Sequence, residues 1–247
     1  SVLRYFGKYW KLVVANFFYI LGLYIHNFVF WNTDMRLVVV KTFVCNQPYD
    51  MATCLAMFTN ISTTIIFIAR VEMHFHDKYK AYSEAVIGGK GADIDSAKRE
   101  MFRQLSAELM NLVRIQFIIT AVVYLIAVVF LPGLGISPLT MRIYPCLTAG
   151  YFILFLMYAE IIFLYYFDDL TGAMVTSLLF CLVTFLGSLA ATRLPELWYG
   201  IGVVAGAFTG WTFAYFRLRY MERHLDAHIF CKGSLIRPGM GTKPPAK

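Results

Sequence analysis

Residues 143–167 read IYPCLTAGYFILFLMYAEIIFLYYF, and after the pair Asp168-Asp169 residues 170–191 read LTGAMVTSLLFCLVTFLGSLAA. A bilayer is crossed by about 20 mostly apolar residues in a helix, and each run meets that length with Glu160 as the one charged residue in either. Two such runs joined by two acidic residues read as a helical hairpin in a membrane. Working outward, four more runs qualify: Trp10–Trp31, Met51–Ala69, Leu112–Leu131 and Leu197–Phe216. Trp10, Trp31, Trp198, Tyr199 and Trp211 fall at or near run ends, where amphipathic rings settle at the membrane–water boundary. The expected class is an all-α membrane protein, a bundle of six transmembrane helices.

Composition agrees. Hydrophobic residues make up 59% of the 247 and charged residues 15%, against about 25% charged in soluble domains. The net charge of +7 lies in loops and tails between apolar runs, so it speaks for topology and not for a nucleic-acid-binding face. Cys45, Cys54, Cys146, Cys181 and Cys231 are scattered without metal-ligand spacing. The chain begins at Ser1 without Met, and the first apolar run is too long for a signal peptide, which suggests a fragment of a longer protein.

Lys and Arg placement sets the direction. The N-terminal segment holds three, the segment from Arg70 to Asn111 seven and the tail seven, seventeen in all, whereas the alternate loops hold Arg36, Lys41, Arg142 and Arg193. The richer side is cytoplasmic by the positive-inside rule, so both termini of this chain are expected inside. The Asp168-Asp169 turn, which has no basic residue, joins that side by alternation alone. Residues 1–235 then form the bundle, with the segment 70–111 cytoplasmic and helical, and residues 236–247 form a disordered cytoplasmic tail. Within 70–111, helix formers run to Ile87, Gly88-Gly89-Lys90-Gly91 breaks the run, and Asp93 or Asp95 can cap a second helix. Met101, Leu105, Leu109 and Leu112 carry an apolar stripe from that helix into the third span, which gives an amphipathic cytoplasmic helix pair between spans 2 and 3.

Polar groups inside spans are costly and tend to face cavities or protein partners. His26, Asn27, Asn60, Gln116 and Glu160 could line a hydrated pathway, or could hydrogen-bond between helices. Arg114 can snorkel to the interface. Tyr144, Tyr151, Tyr158 and Tyr165 recur every seven residues and form one slowly drifting stripe. Their rings and hydroxyls would suit sugar rings passing by, and equally suit helix packing. Gly202, Gly206 and Gly210 make a small-residue ladder for close helix approach. Glu72, His74, His76 and Asp77 have poor geometry for a metal, because His74 and His76 point in different directions on a helix. No phosphate loop, nucleophile elbow or zinc-protease motif occurs. No catalytic residue, metal or cofactor is expected.

Phe67–Ile94 reads FIARVEMHFHDKYKAYSEAVIGGKGADI and Met101–Gln116 reads MFRQLSAELMNLVRIQ. With the opening YFGKYWKLVVANFFYILGLYIHNFVFW and the segment NQPYD at Asn46–Asp50, the chain resembles the PelG family, inner-membrane transporters of the Pel exopolysaccharide system, from the first span to about Leu235. The resemblance implies membership of the multidrug/oligosaccharidyl-lipid/polysaccharide exporters, in which two six-helix bundles enclose a cavity. This chain would be the second, C-terminal lobe of a twelve-helix MATE-like transporter in the bacterial inner membrane. It would move a hexosamine-rich polymer, in partnership with a cytoplasmic glycosyltransferase and membrane scaffold subunits. Expected path residues are His26, Asn27, Asn60, Gln116, Tyr151, Tyr158 and Glu160, and Lys98, Arg99 and Arg103 form the expected docking site. A lipid-linked oligosaccharide flippase, a drug/cation antiporter, a membrane-bound transferase and a scaffold subunit of a polysaccharide synthase complex are the alternatives.

Overall fold

The computed structural model describes residues 2–40, 43–62, 65, 73–88 and 91–232. Helix α1 covers Val2–Phe30 and breaks its dihedrals at Tyr9 (φ −112°, ψ 21°), so the part of membrane-crossing length is Tyr9–Phe30. A hairpin follows, β1 (Leu37–Val40) pairing antiparallel with β2 (Phe43–Cys45) with an irregularity between Val38 and Val40. The β-branched run Val38–Val40 favours this pleated conformation, so a hairpin stands where the hydropathy pattern predicts only a connecting loop.

Helix α2 (Gln47–Asn60) starts four residues before the expected Met51, because its start is built by side chains. The Asn46 side chain accepts from the Tyr49 N–H at 3.3 Å while Asp50 accepts from the Asn46 N–H at 3.0 Å, a reciprocal capping arrangement, and Pro48 occupies the first turn. Beyond Asn60 the expected second span Met51–Ala69 lies largely outside the described residues. Helix α3 covers Met73–Gly88 and α4 covers Gly91–Phe130. The cytoplasmic helix expected before span 3 and span 3 itself are therefore one unbroken helix of 40 residues, about 60 Å long at 1.5 Å per residue.

Helix α5 (Pro138–Tyr166) is capped by Ser137 and carries Pro145 inside; it begins five residues before the expected Ile143. Helix α6 (Leu170–Ala191) matches its expected bounds, and α7 (Ile201–Lys232) runs well past the expected Phe216. Among the described residues, five helical segments are long and apolar enough to cross a membrane: Tyr9–Phe30, Asp93–Phe130, Pro138–Tyr166, Leu170–Ala191 and Glu196–Arg223.

Backbone approach fixes the centre of the bundle. A Cβ built on Gly202 would stand 2.4 Å from the Ser188 N and 2.8 Å from the Gly187 carbonyl carbon, and one on Gly206 would stand 2.9 Å from both the Phe180 O and the Thr184 N. The glycine ladder of α7 is thus the seat of α6, as its spacing suggested. On the other side of α6, the ring of Phe180 and the backbone at Cys181 press on Gly22 of α1. Helix α4 runs antiparallel to α5, with Phe102 stacked on Phe167 (5.3 Å), Phe117 edge-on to Phe152 (6.2 Å) and Tyr124 stacked on Tyr144 (5.3 Å).

The turn between α5 and α6 joins the basic regions at one end. Asp168 takes a left-handed conformation (φ 54°). Asp169 is buried, accepts from the Gly172 N–H at 3.1 Å, and is clasped by Arg217 through Nε to Oδ2 and through Nη2 to Oδ1 at 3.1 Å. Lys11 donates to Thr171 at 2.7 Å beside it. The acidic turn, the basic N-terminal segment and the start of the basic tail therefore share one end of the bundle.

Candidate functional site

Three polar groups tie the helices together. At the junction of α1, α2 and α5, His26 is fully buried, with Nδ1 2.9 Å from the Tyr49 hydroxyl and Nε2 3.2 Å from the Tyr151 hydroxyl. Tyr151 donates its proton to the Leu23 carbonyl at 3.3 Å, so it accepts from a protonated Nε2, and Nδ1 accepts from Tyr49. Directly after Tyr49 in the chain, Asp50 takes bonds from Asn27 Nδ2 (2.7 Å), from Trp31 Nε1 (3.0 Å to each oxygen) and from the Asn46 N–H. This knot ties the end of α1 to the start of α2.

Asn60 and Gln116, both expected path residues, belong to one chain of bonds. Ser62 donates to Gln116 Oε1 (3.0 Å), Gln116 Nε2 donates to Thr120 (2.9 Å), and Thr120 donates to Asn60 Oδ1 (2.8 Å). Asn60 Nδ2 in turn donates to the Ala56 and Thr148 carbonyls at 3.0 and 3.2 Å. Every polar atom of the Asn60 and Gln116 amides is thereby engaged, and the chain clamps α2, α4 and α5 at a buried point. Beside it, a groove of about 480 Å³ is lined by Phe117, Thr120, Tyr124, Pro145, Thr148 and Phe152. Its two threonine hydroxyls are committed, Thr120 to Asn60 and Thr148 to the Tyr144 carbonyl, and its open surface is almost wholly apolar.

The Tyr stripe faces inward. Tyr144 and Tyr151 are fully buried, Tyr144 bonds Thr59 at 2.6 Å, and Tyr158 stacks on Tyr19 of α1 at 4.8 Å.

Glu160 differs from all of these. It is 3% exposed, and its Oε2 has no hydrogen-bond partner. It borders a cleft of about 240 Å³ between α4, α5 and α7, whose wall includes Ser106, Met110, Trp211, Tyr215 and Arg219. Arg219 spends its charge elsewhere, donating to Glu222 at 2.8 Å and to the Tyr215 hydroxyl at 3.3 Å. A buried acceptor left open costs on the order of 1–3 kcal/mol. Among the described residues Asn27 Oδ1 is buried without a partner as well, and Glu160 is the expected path residue whose open oxygen also belongs to the wall of a cleft.

The first 230 residues match the model of the PelG family, described as "Putative exopolysaccharide Exporter (EPS-E)". The chain belongs to the PelG family. No match was found among curated proteins or solved structures. As a PelG-family chain with several membrane-length helices, it is a membrane protein of polysaccharide export.

The expected docking residues of this PelG-family chain lie on the α4 segment that packs with α3. Arg99 and Arg103 are exposed, and Lys78 of α3 pairs with Glu100 of α4 at 2.7 Å. Glu72 lies outside the described residues, as do the side chains of His74 and His76. The sequence reading missed Trp31, Tyr49, Asp50, Thr120, Trp211 and Arg217. Asp50 stands four residues after Asn46 in NQPYD, a helix-start signature that was open to reading. Trp31 and Trp211 are marked in the sequence only as interfacial rings, and Tyr49, Thr120 and Arg217 meet His26, Asn60 and Asp169 from distant parts of the chain.

Proposed function

We propose that this chain forms one six-span lobe of an inner-membrane exporter that carries a Pel-like, hexosamine-rich exopolysaccharide, with no covalent chemistry of its own. The match to the exporter family over residues 1–230 is the observation that carries this reading. In it, Met51–Ala69 supplies the sixth span, both ends of the chain lie in the cytoplasm, and a second bundle completes the cavity. The gathering of Lys11, Arg217 and the Asp168-Asp169 turn at one end of the bundle supports that orientation.

Glu160 is the residue proposed to meet the polymer. His26, Asn27, Asn60, Gln116, Tyr151 and Tyr158 are tied up between α1, α2, α4 and α5, and in this reading they frame the path and do not line the Glu160 cleft. Lys98, Arg99 and Arg103 are proposed to receive a cytoplasmic glycosyltransferase or a membrane scaffold subunit. Deleting the gene should abolish secreted polymer, measured by lectin staining of the culture surface, while polymer or its precursor is retained in the cell. Unchanged secretion would refute the exporter reading. A thiol introduced at Ser96 should react with an impermeant reagent in inverted vesicles and not in intact cells; the opposite pattern inverts the topology.

A further inference from the structure

The β1–β2 hairpin is an apolar element with both faces uncovered among the described residues. All of its strand residues, Leu37–Val40 and Phe43–Cys45, are apolar, while the tip Lys41-Thr42 lies outside the described residues. Leu37 stands opposite Cys45 and Val38 opposite Val44, and neighbours along a strand point to opposite faces. Leu37 is 49% exposed and Val38 53%, and Val39 and Phe43 are more open still, at 58% and 64%. From this we infer that the hairpin is a membrane-surface anchor. It lays Leu37, Val38, Val39 and Phe43 into the boundary of the lipid leaflet at its end of the bundle, with Arg36 on the phosphates of anionic lipids. The inference rests on α1 crossing the membrane and not on what the chain exports.

Lipid fits the hairpin better than a protein surface for three reasons. The first is level. The membrane-length part of α1, Tyr9–Phe30, has 22 residues, about 33 Å at 1.5 Å per residue, against a hydrocarbon core of about 30 Å. The chain thus leaves α1 at the water boundary, and the feet of the hairpin are pinned there. Asn46 donates to the Phe30 carbonyl at 3.2 Å, and Asp50 accepts from both Trp31 and the Asn46 N–H. The second is shape. A flat protein partner covers one face of a sheet and leaves the other in water, whereas lipid closes around both. With only two strands in the sheet, each strand also presents an outer edge of backbone groups. Water and headgroups satisfy such groups and hydrocarbon does not, so the hairpin belongs in the boundary and not in the core. Left in water, an apolar hairpin with open edges is an aggregation hazard. The third is charge. Arg36 is exposed at the foot of β1, and residues 35–45 contain Arg36 and Lys41 and no acid, a balance that draws the segment to anionic headgroups.

The test replaces Val39 or Phe43 of the full-length protein with the photoreactive residue p-benzoylphenylalanine, in nanodiscs of phosphatidylcholine with a minority of phosphatidylglycerol. Both positions are exposed, so the bulky residue is accommodated. Adducts formed on illumination are identified by mass spectrometry, and the same replacement at exposed Phe208 of α7 is the positive control for lipid labelling. Both hairpin positions should yield phospholipid adducts, with phosphatidylglycerol enriched about twofold or more over its share of the nanodisc. Arg36→Gln should return that share to the bulk value. The same labelling in intact cells should again give lipid adducts. Crosslinking at both positions to polypeptide instead of lipid, whether to a second bundle of the same protein or to another chain, overturns the anchor. So does a lack of lipid adducts at both positions while Phe208 labels lipid, or phosphatidylglycerol at its bulk share in the parent.

Discussion

The substitution Gly202→Ala tests how the bundle is held together. The added carbon would meet the Ser188 N at 2.4 Å and the Gly187 carbonyl carbon at 2.8 Å. Both are backbone atoms of α6, so no rotamer change relieves them, and α6 and α7 have to separate by on the order of 1 Å to reach ordinary contact. Overpacking of this kind costs about 1–3 kcal/mol, and for a chain of this size each kcal/mol moves the melting midpoint by roughly 2–4 °C. A loss of roughly 2–12 °C is expected in detergent-solubilised protein followed by fluorescence-detected size exclusion. Gly210→Ala is the internal control. Its nearest obstacle, at 2.4 Å, is the Sδ at the end of the Met157 side chain, which can swing aside, so the loss should be no more than about 1 kcal/mol. Gly7→Ala meets nothing within 4 Å and should leave the midpoint unchanged. If Gly202→Ala melts like the parent, or if Gly202→Ala and Gly210→Ala fall equally, close backbone packing is not what joins α6 to α7.

Asp169→Ala removes a helix cap and strands Arg217, and Arg217→Ala strands a buried carboxylate; each should cost about 3 kcal/mol, read as increased cleavage by added protease, with Arg217→Lys recovering part of it. His26→Ala leaves the Tyr49 hydroxyl open and should destabilise by about 2 kcal/mol, whereas Glu160→Gln should melt within about 1 kcal/mol of the parent because no bond to Oε2 is lost; a reversed order would exchange their roles as framework and binding group. The triple reversal Lys98→Glu, Arg99→Glu, Arg103→Glu should release co-purifying cytoplasmic subunits while the bundle keeps its melting point, and an intact complex would remove the docking proposal.

The helices were legible because their signal is local. The apolar runs of α1, α5 and α6 name themselves by length, and the glycine ladder of α7 carries its own spacing. The β-hairpin was missed because strand pairing over a few residues leaves no periodicity to find amid apolar sequence. The start of α2 was missed because a capping pair, not hydropathy, decides it. At the candidate site, the polar residues stand out against an apolar background, so His26, Asn27, Asn60, Gln116 and Glu160 could all be picked out. Their division could not. Whether a polar side chain is satisfied depends on which helix lies across from it: Asn60 takes its bond from Thr120, 60 residues away, and His26 from Tyr49, 23 residues away. Only the assembled bundle separates the engaged groups from the open Asn27 Oδ1 and Glu160 Oε2.

The unbroken course of α4 has a mechanical side. Arg99 near one end and Thr120 near the middle are 21 residues apart on a single helix, about 30 Å at 1.5 Å per residue. Between them the helix touches the Glu160 cleft at Ser106 and Met110 and then enters the Asn60 clamp. A hydrogen-bonded rod of this kind transmits a push along its axis with little yield, since bending it requires breaking its own ladder. Whatever grips the basic end thereby holds a handle on the interior of the bundle, with Phe102 on Phe167 as its fulcrum.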